Sequence, residues 1–277
     1  MKVSPDLNLS SKTRQKHKIL NPLLRQWPRG MVANSRWLAA HGVTRQLAKT
    51  YKQAGWLDAL GHGAFLRAGD TARWSGGLHT VQRDPNCSIH PGGKTALSLL
   101  GYGHFLEWGE DAPLWLFGRP GERLPAWFVR GPWKDRLRFV AASLFEKSAG
   151  LPAALVEREV DGLSLRLSSP ERAMLEVLYF VPRQQSVEEA ALLMEGLPTL
   201  RPKLVQSLLE SCASVKVKRL FLALAEHSNH AWLTKLDLSR LDLGSGKRQI
   251  VPGGRLHPKY RITLPASLVT RPEEDES

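Results

Sequence analysis

Several groups of residues in this 277-residue chain have types and spacings that could support chemistry. Gly92-Gly93-Lys94-Thr95 resembles the end of a phosphate-binding loop. The full pattern needs another glycine five residues before the Gly-Lys pair, so that consecutive backbone amides can cradle phosphates. Ser88 stands there, and Pro91 removes a further amide donor, so these residues predict a helix that starts at Gly92-Gly93 and ends at Gly101. His227 and His230 have a spacing that could put two imidazoles on one helix face as metal ligands. No cysteine or further clustered histidine accompanies them, and Ser228-Asn229 reads as a helix end, where a histidine complements the dipole. Glu157, Glu159 and Asp161 could gather a divalent ion for nuclease chemistry. They alternate with Val156, Arg158 and Val160 before Gly162, so a hairpin joining Ala154–Val160 to Leu163–Leu167 also explains them. Cys87 and Cys212 have no base nearby, and no Gly-x-Ser-x-Gly or Cys-x-x-Cys occurs. The sequence therefore predicts no catalytic residue, no metal site and no cofactor.

The elements that would position a site must be read from composition and pattern. Hydrophobic residues make up 42% and charged residues 23%, near globular norms, which excludes a disordered, collagen-like or coiled-coil chain. No apolar run approaches the roughly 18 residues of a membrane span. The start, Met1-Lys2-Val3-Ser4-Pro5-Asp6, lacks the apolar stretch of a secretory signal. Two cysteines fit a reducing compartment, so a cytoplasmic protein without membrane contact is expected. The net charge of +13 is unevenly placed. Residues 1–83 hold 14 Lys and Arg against Asp6, Asp58 and Asp70, a net +11, which leaves +2 for residues 84–277. Such asymmetry is the footprint of a polyanion-binding module, although a solvated basic arm would share it.

The local pattern distinguishes these readings. From Ser11, the positions Ile19, Leu20, Leu23, Leu24 and Trp27 follow a helical period, which Pro22 predicts to be divided into two helices. Asn34 or Ser35 caps a short helix that His41-Gly42 ends, and a third helix runs from Thr44 to Ala54. Val43, Leu47, Tyr51 and Ala54 would form its apolar face. This is the helix-turn-helix pattern, in which the second helix enters the major groove. The outward face carries Thr44, Arg45, Gln46, Lys49, Thr50, Lys52 and Gln53 and no acid. Arg45 suits guanine, Gln46 suits adenine, and Lys49 and Lys52 suit phosphates. Gly55-Trp56-Leu57 and Ala64–Arg67 read as a wing hairpin, with Arg67 near the nucleic-acid backbone and Arg36 on the preceding helix. A polar helix face can also be merely solvated, and winged helices also dock proteins.

The remainder reads as mixed α and β. Leu114–Phe117, Arg136–Ala142, Trp232–Leu238 and Lys259–Leu264 look extended. Ser169-Pro170-Glu171 opens a helix through Phe180, Ser186 with Glu189 forms a capping box closed by Gly196, and Leu204–Cys212 carries a helical stripe. Glu273–Glu276 form an acidic tail. The expected organisation is an N-terminal winged helix-turn-helix in residues 1–83 and a larger α/β (α+β) domain in 84–277.

Trp37-Leu38-Ala39-Ala40-His41-Gly42-Val43, Gln46-Leu47, Gly55-Trp56-Leu57 and Gly63-Ala64-Phe65 resemble the N-terminal domain of AbiEi-type antitoxins. The resemblance continues through Gly92–Leu97, Gly101-Tyr102, His104, Ser169–Ala173, Val215–Leu220 and Leu241–Arg248, so it spans nearly the whole chain. It implies a bacterial type IV toxin–antitoxin protein, with a DNA-binding N-terminal domain and a C-terminal antitoxin domain. The implied partners are double-stranded DNA, as repeats in its own promoter, and a nucleotidyltransferase-like toxin countered without an obligate stable complex, in systems that act in abortive phage infection. By position, the DNA-reading role falls on Thr44, Arg45, Gln46, Lys49 and Lys52. Lys216, Lys218, Arg219, Lys247 and Arg248 lie in matched motifs and are basic, which suggests either further nucleic-acid contact or a solvated strand or loop face. Two other readings stand beside it: a ligand-sensing regulator with no toxin to oppose, and a metal-dependent nuclease built on Glu157–Asp161.

Overall fold

A computed structural model of the chain describes residues 11–103, 112–145 and 154–269; the acidic tail lies outside them. The periodic stretch from Ser11 folds as one helix, α1 (Ser11–Gln26), although Pro22 predicts a break. Pro22 is exposed, so the carbonyl it leaves unpaired can reach water, while Leu20, Leu23 and Trp27 on the opposite face are buried. Then follow β1 (Ala33–Asn34), α2 (Ser35–Ala40), α3 (Arg45–Gln53), β2 (Leu57–Gly61) and β3 (Ala64–Arg67). The three strands form an antiparallel sheet in the order β1-β3-β2. Trp27, Trp37, Leu38, Val43, Ala48 and Tyr51 share one apolar core, and Trp27 Nε1 donates to Met31 O at 2.9 Å. Ala54 is exposed at the C-cap, whereas Ala48 joins Tyr51 on the buried face of α3.

Sequence pattern does not announce α4 (Trp74–Gln82), because Gly76 and Gly77 weaken its helical signal. Packing supplies the reason for them. A Cβ on Gly76 would lie 1.8 Å from Gly30 O, and one on Gly77 would press on Phe128 and Trp133. Phe128 belongs to α6 (Ala126–Val129). The contacts accordingly place Leu124–Asp135 and Glu159–Leu165 with the N-terminal unit, which otherwise ends at Cys87. Leu163 joins that unit's core, and Asp161 accepts bonds from Arg73 Nη1 (2.5 Å) and Ser75 Oγ (2.6 Å).

The second unit contains Ser88–Arg123, Arg136–Arg158 and the chain from Arg166 onward. β4 (His90–Pro91), β5 (Leu114–Gly118) and β6 (Leu137–Ala141) form a sheet in that order, with β5 and β6 parallel, and α5 (Gly93–Leu99) follows β4. β7 (Leu155–Val160) and β8 (Leu163–Ser168) pair through a tight turn, with Asp161 at φ 51° and Gly162 at φ 76°. The helices α7 (Pro170–Tyr179), α8 (Val187–Glu195), α9 (Pro202–Ser211) and α10 (Val215–His227) enclose the main core, in which Leu220–Ala225 of α10 are fully buried. Ser186 caps α8 through the Glu189 amide (3.1 Å), as the capping residues predict. Trp232–Leu238, expected extended, instead forms 3₁₀ turns at Ala231–Lys235 and Leu238–Arg240. Trp232 Nε1 is anchored on Leu197 O (3.0 Å), and Asp237 caps the second turn through Ser239 N (3.0 Å). A small sheet, β9 (Arg248–Gln249), β10 (Arg255–Leu256) and β11 (Ile262–Leu264), has the order β10-β11-β9.

Glu176 of α7 is the polar centre of this unit, its side chain 1% exposed. Its carboxylate accepts from Arg172 Nε (2.8 Å), Ser168 Oγ (2.8 Å) and Gly93 N (3.0 Å) and faces His90 Nε2 (3.3 Å). Burial pushes its acidity down, but the Arg172 charge and the His90 contact prevail and hold the pKa at about 2. Glu176→Gln should therefore lose roughly 3–5 kcal/mol at pH 7, because Arg172 would be left unpaired. The native stabilisation is full above pH 4.5 and is lost as pH falls towards 2, so wild-type urea midpoints should drop over that range more steeply than those of the variant.

Candidate nucleic-acid interface

The α2–turn–α3 segment is assembled from local bonds legible in its residue types. Asn34 Oδ1 accepts from Trp37 N (2.8 Å) and caps α2. His41 closes that helix, stacked on Trp37 with ring centroids 3.9 Å apart, and Gly42 takes φ 77° in the turn. Thr44 Oγ1 accepts from Leu47 N (3.2 Å), so its side chain caps α3 at the end that faces outward in a helix-turn-helix. Arg45, Gln46, Lys49, Lys52 and Gln53 are exposed on that helix, which has no acid. Thr50 is half-buried and bonds Gln46 O.

The unit's described acids from the first 83 residues are already engaged. Asp70 accepts from Gly30 N and Arg29 Nη1 (both 3.0 Å), and Asp58 accepts from Gly69 N (3.3 Å). Among the described residues, Arg45, Lys49 and Lys52 have no ion pair, so the face keeps its full positive charge. Arg36 is exposed and meets Asp84 at 3.3 Å, a surface pair worth about 0–1 kcal/mol and readily exchanged for another anion. Arg67 is different: Nη1 donates to Trp27 O (3.0 Å), tying the wing to the end of α1 rather than aiming at a backbone phosphate. His62, at the exposed tip of the β2–β3 hairpin, takes the outer position instead.

The C-terminal basic residues divide sharply. Lys216, Lys218 and Arg219 lie on α10, not on a strand or loop. Lys216 Nζ donates to Tyr179 O (2.9 Å) and Val181 O (2.5 Å), and burial, with the Arg183 charge, pushes its pKa down. Lys218 and Arg219 are buried and donate to backbone carbonyls of residues 242–246. These cations hold the fold, because a buried charge must be surrounded by acceptors. Lys247 and Arg248 are exposed.

The other chemical candidates separate in the same way. A Cβ on Gly92 would lie 2.3 Å from Glu176 Oε2, Gly93 N donates to that carboxylate, and Lys94 Nζ pairs with Glu189 (2.9 Å). The apparent phosphate loop thus encloses a carboxylate of the protein itself. His227 is exposed, whereas His230 is buried with Nε2 2.7 Å from Met194 O. Asp161 is bound to Arg73 and Ser75, and Glu157 and Glu159 are exposed on β7. No group of three His, Cys, Asp or Glu able to hold a metal occurs among the described residues. Burial raises the Cys212 thiol pKa, which disfavours the reactive thiolate. No described helix is long and apolar enough to cross a membrane.

Sequence reasoning missed Arg130, Lys134 and Arg261, all exposed. The first two join the N-terminal unit only through tertiary packing, and the third comes beside Arg248 by parallel pairing of β9 with β11. No local signal marks either event.

A capped helix-turn-helix followed by a β-hairpin defines a winged helix-turn-helix unit, joined to a larger mixed α/β unit. Residues 16–108 match the family model of the N-terminal domain of AbiEi antitoxin transcriptional regulators, and residues 111–265 match that of AbiEi antitoxin transcriptional regulators of type IV toxin–antitoxin systems. The chain belongs to the AbiEi family of antitoxin transcriptional regulators. Its fold is similar to that of the RV2827C protein from Mycobacterium tuberculosis, with a TM-score of 0.57, 17% identity and 90% of each chain covered. No curated protein matches it by sequence.

The cap geometry separates two roles within α3. Thr44→Ala should cost about 0.5–2 kcal/mol in urea unfolding and Thr44→Ser much less, whereas Arg45→Ala should change stability by no more than about 0.5 kcal/mol.

Proposed function

We propose that this protein represses its own operon by placing α3 in the major groove of repeats in the promoter, and that its C-terminal unit counters a nucleotidyltransferase-like toxin without a stable complex. The observation that carries the DNA reading is the acid-free face of α3, with Arg45, Lys49 and Lys52 unpaired among the described residues around a helix start fixed by Thr44. Arg45 and Gln46 stand nearest the helix N-terminus, the end that meets base edges, and Lys49 and Lys52 follow towards the phosphates. Arg36 adds a contact from α2. The role is regulatory and neutralising rather than enzymatic, consistent with the family. It requires no cofactor and acts in the cytoplasm.

A ligand-sensing regulator has one feature in its favour, an open cavity of about 400 Å³ lined by Leu100, Tyr102, Glu157, Glu171 and Arg201. Its charged centre is already self-satisfied, since Arg201 Nε and Nη2 grip both oxygens of Glu171 at 2.9 and 3.0 Å. The antitoxin reading therefore stands ahead of it. An adjacent nucleotidyltransferase-like gene would separate the two.

Titration of the full chain against its promoter tests the reading directly. Arg45→Ala should cost about 1–3 kcal/mol and relax sequence preference, whereas Lys49→Ala should weaken all sequences alike and reduce the salt slope by about one contact. Unchanged promoter affinity in an Arg45→Ala/Lys49→Ala double variant would refute the assignment. In cells expressing the toxin, that same variant should lose repression yet retain rescue. Full-length variants are needed because the N-terminal unit includes Leu124–Asp135 and Glu159–Leu165, which a truncation at residue 83 would strand.

A further inference from the structure

Buried Arg219 organises the loop ahead of β9 through its backbone. Nε donates to Leu243 O (2.7 Å), Nη2 to Gly244 O (3.0 Å), and Nη1 to Gly246 O (2.8 Å) and Arg261 O (3.4 Å). Lys218 Nζ fixes the preceding carbonyl, Asp242 O, at 3.0 Å. A trans peptide is planar, so its N–H points opposite to its C=O. Turning the Gly244 and Gly246 carbonyls onto the guanidinium therefore turns the Ser245 and Lys247 amides away from it. Ser245 and Lys247 are both exposed residues. Gly244 (φ 63°) and Gly246 (φ 75°) supply the left-handed conformations that this alternation needs. The Gly244 amide is occupied by Asp242 Oδ1 (2.8 Å), whereas those of Ser245, Gly246 and Lys247 have no acceptor among the described residues. Amides turned outward from a left-handed glycine loop in this way offer donors to an anion.

The charge around the loop has the matching sign. Lys247, Arg248 and Arg261 are exposed and have no ion pair among the described residues. Arg248 N donates to Arg261 O (2.9 Å), which sets these two residues side by side at the start of the β9–β11 pairing. Burial, then the charges of Arg248 and Arg261, push the Arg219 pKa down, and only Asp242 opposes them. Clustered like charges repel, and a bound anion would relieve that repulsion.

We propose that Ser245–Arg248, together with Arg261, is a phosphate-binding site, in which the Ser245 and Lys247 amides and the three basic side chains receive phosphate oxygens. The phosphate could come from a free nucleotide or polyphosphate, or from a nucleic-acid backbone; the recognition chemistry is the same. The site is separate from the α3 face and does not rest on the promoter-binding reading.

The test is an amide-resolved NMR titration of the full chain with pyrophosphate and, separately, with a short oligonucleotide unrelated to the promoter. Wild type is compared with Lys247→Ala/Arg248→Ala and with Arg45→Ala/Lys49→Ala, after equal thermal midpoints show that each is folded. The Ser245 and Lys247 amides should shift, with affinity about tenfold weaker in the loop variant and unchanged in the α3 variant. Shifts with pyrophosphate identify free phosphate as sufficient; shifts with the oligonucleotide alone identify a backbone phosphate, and both support the site. No shift at residues 245–247 with either probe overturns it, as does undiminished affinity in the loop variant. Dependence on Arg45 and Lys49 instead would also overturn it, while leaving the promoter reading intact.

Discussion

A carboxylate removed from water persists only while its oxygens are met by donors, and Glu176 imposes this condition on the second unit. Its partners come from separate elements: Arg172 from its own helix, Ser168 from the end of β8, Gly93 from the start of α5 and His90 from β4. Losing any one leaves part of a buried charge unmatched, at a cost of about 1–5 kcal/mol against a typical domain margin of about 5–15 kcal/mol. This explains a feature that otherwise imitates nucleotide chemistry. Gly92 lacks a side chain because the carboxylate fills that space, and Gly93 offers its amide to an internal anion.

The same constraint decides which basic residues remain for ligands. Arg219 and Lys218 are in the core, so backbone carbonyls surround them and orient the loop that follows Leu241. Arg67 is spent on Trp27. Arg45, Lys49 and Lys52 are exposed and, among the described residues, no acid pairs with them, and the same holds for Lys247 and Arg248. A basic residue in a matched motif is thus no indication of contact until its donors have been traced.

Local chemistry made much of the N-terminal unit legible. Asn34 and Thr44 cap the helices they precede because a short oxygen-bearing side chain can meet the unpaired amides of a first turn. Asp161-Gly162 turns its hairpin because both residues tolerate positive φ. The failures arose where distant residues prevail over local preference. Pro22 lies within a continuous helix because its flanking apolar residues are buried, and Gly76 sits in α4 because Gly30 passes too close for any side chain.

What the residues determined by themselves was an acid-free second helix of a helix-turn-helix, its cap, the hairpin after it and the concentration of charge around them, all consequences of bonds and periodicities spanning a few positions. What only the tertiary structure decided was the fate of charges placed far apart in sequence. Arg261 joins Arg248 through a parallel strand pair, Arg201 closes on Glu171, and Leu124–Asp135 returns to the N-terminal unit. The physical reason is that burial and ion pairing depend on separations in space, and residues tens of positions apart are brought together only by the completed fold.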